Sequence, residues 1–420
     1  MNNRRIDTWL ALIVLILIIG GMLMVFSASA VGNTNIIGAE FKYLFRQGAA
    51  LTVGLGLCWI ASMISSSVWR GIHWYFYGMC MFGLWLCFSP VGHASHGAAR
   101  WFGFGSVNFQ PSAFAKIAVL ISLSAYLHKW RGHVHQLPVL LKALPIPAAM
   151  LFFIIIEPDF GTTLIISSLS FAMLIIAGMA WRHVLITGGT LLFVGTIVLF
   201  SADYRVRRML TFWDPWSVKE GEGYQVVQSF IAMHNGGLTG QGLGNSLAKR
   251  QFLPEPWTDF IGSVIAEEMG FIGLSCVMLL FCAFLWRGLH IAAHAKDAFS
   301  MFLATTLTIM IVGEAFFNLG VIMGVVPPKG LVLPFISYGS SAMMANMFAV
   351  GILLGISAER KDIPLEQGWK TSPTIVNALT DANEDATAFD LEENPSASPV
   401  EVDLDDEQLL VGDLGVSGQN

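Results

Sequence analysis

Asp259 closes the run Pro254-Glu255-Pro256-Trp257-Thr258, which ends one conformation and starts a helix. Standing before a long apolar stretch, Thr258 or Asp259 is either a helix cap or, for Asp259, a carboxylate base held at the mouth of a helix bundle. Desolvation would raise its pKa and the helix dipole would lower it. Lys116 lies about one turn inside another apolar stretch, where an ammonium costs roughly 2.5 to 3.5 kcal/mol unless it is paired or faces water. It either snorkels to the headgroups or lines a cavity in which it meets a lipid phosphate. Other concentrated polar and turn-forming residues are Arg100-Trp101, Gln110-Pro111-Ser112, Glu157-Pro158-Asp159-Phe160-Gly161, the stretches 205 to 216 and 221 to 259, and Pro327-Pro328-Lys329-Gly330 leading to Ser337-Tyr338-Gly339. Glu267, Glu268 and Glu314 fall inside apolar stretches, where a carboxylate serves either ion coupling or structural pairing with Ser, Thr, Asn or Lys of a neighbouring helix.

Positioning these groups requires a membrane. The chain has 420 residues, 55% hydrophobic and 12% charged, against about 25% charged in an ordinary soluble domain; its mean hydropathy is +0.64. Apolar runs long enough to cross a bilayer occur near 8 to 28, 42 to 63, 71 to 89, 112 to 128, 139 to 156, 161 to 179, 183 to 201, 260 to 287, 299 to 323 and 338 to 357. They are continuous rather than alternating in polarity, which excludes a barrel. The expectation is an all-α polytopic membrane protein of about ten transmembrane helices. The first run follows Arg4 and Arg5 and is read as a retained span rather than a cleaved leader. All five cysteines sit inside apolar runs, so disulfides and zinc are not expected.

Eleven basic residues mark one set of helix ends, against Lys42, Arg100 and Lys329 in the short loops opposite. That bias puts both termini in the cytoplasm. The segment 202 to 259 becomes a large extracytoplasmic loop between helices 7 and 8, and the polar clusters collect on the outer face. Within this loop five glycines in the nine positions Gly236 to Gly244 lack the Gly-Lys-Ser/Thr of a phosphate loop and are expected to turn at the membrane surface. Met209 to Trp216 and Val226 to Met233 read as interfacial anchors. Residues 1 to 360 thus form the membrane domain, and 361 to 420 an acidic, disordered cytoplasmic tail in which Val400 to Leu410 could dock a partner. Twelve acids and no Lys or Arg lie in 371 to 420, so the net charge of −6 describes the tail and the rest of the chain carries +6. No nucleic-acid partner is expected.

Together the motifs Gln110 to Lys116, Glu157 to Thr162, Arg208 to Trp216, Gly221 to Gln225, Gly242 to Ser246, Leu253 to Phe260, Pro327 to Leu331 and Pro334 to Gly339 resemble the SEDS family (shape, elongation, division and sporulation) over about residues 8 to 358. The Gly-Leu-Gly-Asn-Ser wording at 242 to 246 is similar to its cell-division branch. Several positions depart from the family pattern. Ala113 stands where the family usually has Glu, three residues before Lys116, and Glu157, where Gln is frequent, is a candidate to supply that acid. Trp257 replaces a usual His, Pro328 a usual Thr, and Ser340 a usual Gly.

The resemblance implies a peptidoglycan glycosyltransferase that polymerises lipid II at the outer face of the bacterial cytoplasmic membrane, at the division septum. It implies a class B penicillin-binding protein as transpeptidase partner, together with other division-complex membrane proteins. The expected roles are Asp259 as general base, with Lys116, Lys329, Arg100 and Asp159 binding substrate. No organic cofactor is expected; a divalent cation such as Mg2+ is an optional helper. The competing readings are a flippase for the lipid-linked precursor, coupled through Glu267, Glu268 and Glu314, and a non-catalytic division scaffold.

Overall fold

A backbone in hydrocarbon must satisfy its own hydrogen bonds, so each continuous apolar run closes into a helix. The computed structural model describes residues 6–29, 39–89, 93–95, 98–104, 107–157, 159–201, 203–219, 221 and 223–359; the tail expected from 361 onward lies outside them. Its helices are α1 (Thr8–Ser29), α2 (Ala39–Met63), α3 (Ser66–Cys87), α4 (Ser112–Lys129), α5 (Leu137–Ala143), α6 (Pro145–Ile156), α7 (Phe160–Ile176), α8 (Trp181–Phe200), α9 (Asp203–Trp213), α10 (Tyr224–Gly236), α11 (Ile261–Ala293), α12 (Ala298–Ile322) and α13 (Ser340–Ala358). Every predicted run coincides with a helix, the fifth with α5 and α6 together. Among the described residues seven helical stretches are long and apolar enough to cross a membrane. The protein is a multi-pass membrane protein.

The purely helical expectation needs one correction. Strands β1 (His93–Ser95), β2 (Ala98–Phe104) and β3 (Val107–Phe109) form an antiparallel sheet in the order β1-β2-β3, with Phe102 opposite Phe109 and Phe104 opposite Val107. The alternating Phe102, Phe104, Val107 and Phe109 about Gly105-Ser106 is the hairpin signal in this segment.

α13 is buried on all sides and packs along α2, while α12 lies between α11 and α4. α8 is mostly exposed, as a lipid-facing helix is. One end of the bundle is laced by charge. The Arg287 Nε donates to both Asp7 oxygens (2.8 and 2.9 Å), Arg70 meets Asp297 at 2.9 Å, and the Ser66 hydroxyl donates to Glu359 at 2.6 Å. These contacts gather the starts of α1, α3 and α12 with the ends of α11 and α13. The functional residues collect at the opposite end.

The long segment before α11 differs from a surface loop. α11 is broken at Gly270 (φ 68°, ψ −167°). The break exposes backbone groups, and the glycine-rich segment satisfies them. The N–H groups of Gln241 and Gly242 donate to the carbonyls of Glu267 (2.9 Å) and Glu268 (3.0 Å), and those of Phe271 and Ile272 donate to Gly237 (2.9 Å) and Leu238 (3.2 Å). Approach this close needs bare glycine: a Cβ would lie 1.9 Å from the Ala266 carbonyl oxygen at Gly236 and 2.2 Å from that of Glu268 at Gly240. The segment therefore pairs its backbone with the break in α11 while it turns at positive φ through Gly237, Gly240, Gly242 and Gly244 and leaves Leu238 and Leu243 exposed. Side chains follow. Glu267 accepts from the Ser246 hydroxyl and from Ala248 N–H (3.0 Å); buried Glu268 accepts from Lys249 Nζ (2.6 Å) and the Ser27 hydroxyl (2.8 Å). Val226 and Val227 are buried where α10 packs on α11, whereas Trp213 and Trp216 are exposed as anchors should be.

Candidate active site

Asp259 sits just ahead of α11, whose N-cap residue is Phe260 with no side-chain cap bond. Neither Thr258 nor Asp259 caps the helix, which corrects the plainer sequence expectation and leaves the carboxylate available. The Thr258 hydroxyl lies 3.0 Å from Asp259 Oδ1 and 2.8 Å from the Glu255 carbonyl. The backbone on either side is pinned. Tyr338 N–H donates to the Trp257 carbonyl (2.8 Å), and the Trp257 and Tyr338 rings flank Tyr43 at 4.5 and 5.2 Å. Asn318 Nδ2 donates to the Asp259 carbonyl at 2.8 Å and also reaches the Leu331 carbonyl, stitching the entry of α11 to the segment after Lys329. Burial pushes the Asp259 pKa above the usual carboxylate value; Glu255 adds to this, while the Thr258 hydrogen bond and Arg208 oppose it.

Lys329 lies in the segment between α12 and α13. Its ammonium donates to the Gly161 carbonyl (2.6 Å) and lies 5.1 Å from the Phe317 ring centroid. A Cβ at Gly161 would stand 2.7 Å from Lys329 Cε, so a larger residue there would displace the end of the lysine side chain. Burial pulls the Lys329 pKa down to about 8, against the support of the Asp159 and Glu314 charges and with the Lys116 charge adding to the fall. Asp159 is the true helix cap of the site: it accepts from Thr162 N–H (3.0 Å) and the Thr162 hydroxyl (2.8 Å) at the start of α7. Gln110 Nε2 also donates, at 3.5 Å, to the Oδ2 that accepts from the Thr162 hydroxyl.

Lys116 does not snorkel. It is buried, and its ammonium pairs with buried Glu314 of α12. The expectation that Glu157 supplies the missing acid is corrected: Glu157 is buried within hydrogen-bonding reach of the Cys87 thiol. The fold thus brings Lys116, Lys329, Asp159 and Glu314 into one electrostatic cluster. The Asp259 carboxylate lies beside the residue that follows Lys329, since a Cβ on Gly330 would be 3.8 Å from Asp259 Oδ2, and the charges acting on it are those of Glu255 and Arg208. Arg100 falls on β2, with its side chain outside the described residues.

Sequence reasoning passed over Asn318 and Gln47, the second of which accepts from Gly339 N–H (3.2 Å) and donates to the Ser337 carbonyl (3.1 Å). Their signal was available as amide side chains in otherwise apolar spans. Among the described residues no group of three His, Cys, Asp or Glu side chains gathers to hold a metal ion. Asp159 is already committed to Thr162, so the described residues here offer a divalent cation no protein cage. The arrangement is that of a desolvated carboxylate held against the backbone of the segment that carries Lys329, suited to deprotonating a neutral nucleophile while an anionic group departs nearby.

The FtsW/RodA/SpoVE family, described as cell cycle proteins, matches residues 7–362. A Geobacter sulfurreducens protein named "Probable peptidoglycan glycosyltransferase FtsW" is 36% identical over 363 residues, covering 86% of this chain and 97% of its own. The stage V sporulation protein E of Bacillus subtilis is 36% identical over 357 residues, 84% of this chain and 96% of its own. Among solved structures, a chain from work on the coordination of polymerization and crosslinking by a peptidoglycan synthase complex superposes with a TM-score of 0.70 at 25% identity, covering 85% of this chain and 99% of that one.

Proposed function

The chain belongs to the FtsW/RodA/SpoVE family of cell cycle proteins, and from that premise we propose that it is a peptidoglycan glycosyltransferase polymerising lipid II, with Asp259 as general base. Asp259 takes the proton of the acceptor GlcNAc 4-hydroxyl as that oxygen bonds to C1 of the donor MurNAc. The bond from C1 to the diphosphate oxygen breaks on the opposite face, the leaving group keeps the electron pair, and the anomeric centre inverts. Lys116 and Lys329, with Arg100, neutralise the charge that develops on the departing diphosphate. Asp159 holds the start of α7 and supports the Lys329 charge. The donor's C1–O bond to the diphosphate, a good leaving group, carries its own driving force, so no organic cofactor is needed. Mg2+, where present, would be held chiefly by substrate oxygens.

All ten runs span the bilayer in this reading, with both termini cytoplasmic, 1–360 as the membrane domain, 202–259 extracytoplasmic and the site open to the outer leaflet. The protein works in the bacterial inner membrane at the septum, beside a class B penicillin-binding protein and other division proteins. The observation that carries the catalytic reading is the uncapped, desolvated Asp259 pinned beside the Lys329 segment. The flippase alternative loses its motivation where Glu267 and Glu268 are consumed by Ser246, Lys249 and Ser27. The test is reconstitution of purified protein with its transpeptidase and labelled lipid II, with contaminating synthases inhibited. Asp259→Asn is expected to lower kcat by about 10²- to 10⁴-fold; an Asn variant polymerising at the native rate removes Asp259 from the chemistry.

A further inference from the structure

Among the described residues Lys116 is the most enclosed cation of the site, and α4 carries no acid to balance it. The groups turned toward this region from neighbouring elements are Glu314 of α12, Asp159 at the start of α7 and Lys329. Asp159 is engaged by Thr162, and Lys329 by the Gly161 carbonyl. Glu314 alone makes an ion pair with Lys116 among the described residues, and its charge also acts on Lys329. One carboxylate therefore acts on two ammonium groups from different segments.

We propose that Glu314 is a positioning residue for glycosyl transfer: it aims the Lys116 ammonium at the donor diphosphate, and the task requires a carboxylate against Lys116 rather than any particular helix to carry it. The inference rests on the assignment of Lys116 to the diphosphate. Two features make the carboxylate movable. Ala113 is half-buried on α4, three residues before Lys116, and side chains three apart on a helix are neighbours. A helical lysine stem also leans back over the turn that precedes it, which here is the turn containing residue 113. Glu at 113 could thus reach the same ammonium from within α4 that Glu314 reaches from α12.

The experiment compares wild type, Glu314→Gln, Glu314→Asp, Ala113→Glu/Glu314→Gln, Lys116→Met and Lys116→Met/Glu314→Gln, each as full chain with the transpeptidase in proteoliposomes. It reads kcat and KM for labelled lipid II, together with the thermal midpoint. Glu314→Gln is expected to lower kcat/KM on the order of 100-fold, the scale of a catalytic group displaced by about 1 Å. Glu314→Asp and the relocated acid should each recover at least tenfold of that loss, and the Lys116→Met/Glu314→Gln variant should be no worse than Lys116→Met, because residues acting as one unit are not additive. Wild-type kcat/KM in Glu314→Gln, no recovery on relocation, independent losses in the double variant, or a deficit that matches the loss of folded protein each overturn the proposal. Lys116→Met at the wild-type rate would instead remove the diphosphate assignment on which it rests.

Discussion

Lys329 offers the sharpest quantitative test of the site. Its ammonium form is the one that can neutralise a diphosphate, and burial brings its pKa to about 8 from 10.5. One pH unit above that value about 10% of the free enzyme still carries the charge, so kcat/KM should fall roughly tenfold per unit beyond it. On the acid side activity should rise as Asp259 ionises, along a limb displaced above the ordinary carboxylate value of 3.8. Lys329→Arg replaces the titrating group by one that stays charged at every accessible pH. The alkaline limb should then move up by more than two units, with the acid limb unchanged.

Stability runs the other way. The folded pKa of Lys329 lies below its unfolded value, so between about 8 and 10.5 the unfolded chain binds more protons, and this group adds to stability as pH rises. Below the folded pKa the same group costs stability. Alkaline loss of activity therefore cannot come from this lysine's effect on folding, and thermal midpoints measured in parallel would separate the two. The assay is initial polymerisation rate against pH at limiting lipid II, for wild type and Lys329→Arg. An alkaline limb unmoved by the substitution, or a wild-type limb above pH 10, refutes the reasoning.

The remaining predictions concern the framework. Lys249 and Glu268 are an almost fully buried pair at 2.6 Å, so Lys249→Met or Glu268→Leu alone should destabilise by about 3 to 5 kcal/mol, with Lys249→Met/Glu268→Leu losing less than either single variant. Thermal midpoints of the three variants decide it, and a double variant as unstable as the sum of the singles would sink the pairing argument. Gly240→Ala places a Cβ 2.2 Å from the Glu268 carbonyl oxygen at a φ of +81°, and should cost about 1 to 3 kcal/mol. It should also expose the Phe271 and Ile272 amides to hydrogen exchange. Gly20→Ala, with nothing within 4 Å of the added carbon, is the matched control and should be neutral or mildly stabilising.

The helices were legible because span length and apolar continuity belong to each segment alone. α1, α8 and α12 begin and end within about two residues of their predicted runs. The chemistry-bearing residues were legible by type, since Lys116, Asp159, Asp259 and Lys329 stand at the ends of those runs beside Pro, Gly and Trp. Their division of labour was less so: the capping role foreseen near Asp259 belongs to Asp159, because capping depends on the backbone angles at one turn. The three short strands between α3 and α4 were overlooked because the alternation of Phe102, Phe104, Val107 and Phe109 covers only a few residues between long apolar runs.

By itself, then, the sequence determined a multi-pass helical protein with an acid and two lysines gathered toward one set of helix ends. Only the tertiary structure decided that Lys116 is balanced by Glu314, 198 residues away, that Asn318 holds the Asp259 backbone, and that a glycine-lined segment completes the broken α11. The physical reason is the range of the forces. Hydrophobic length is counted along the chain, whereas a buried charge or an open backbone group is satisfied by whatever lies within about 3 Å in space, and that neighbour exists only once the helices have packed.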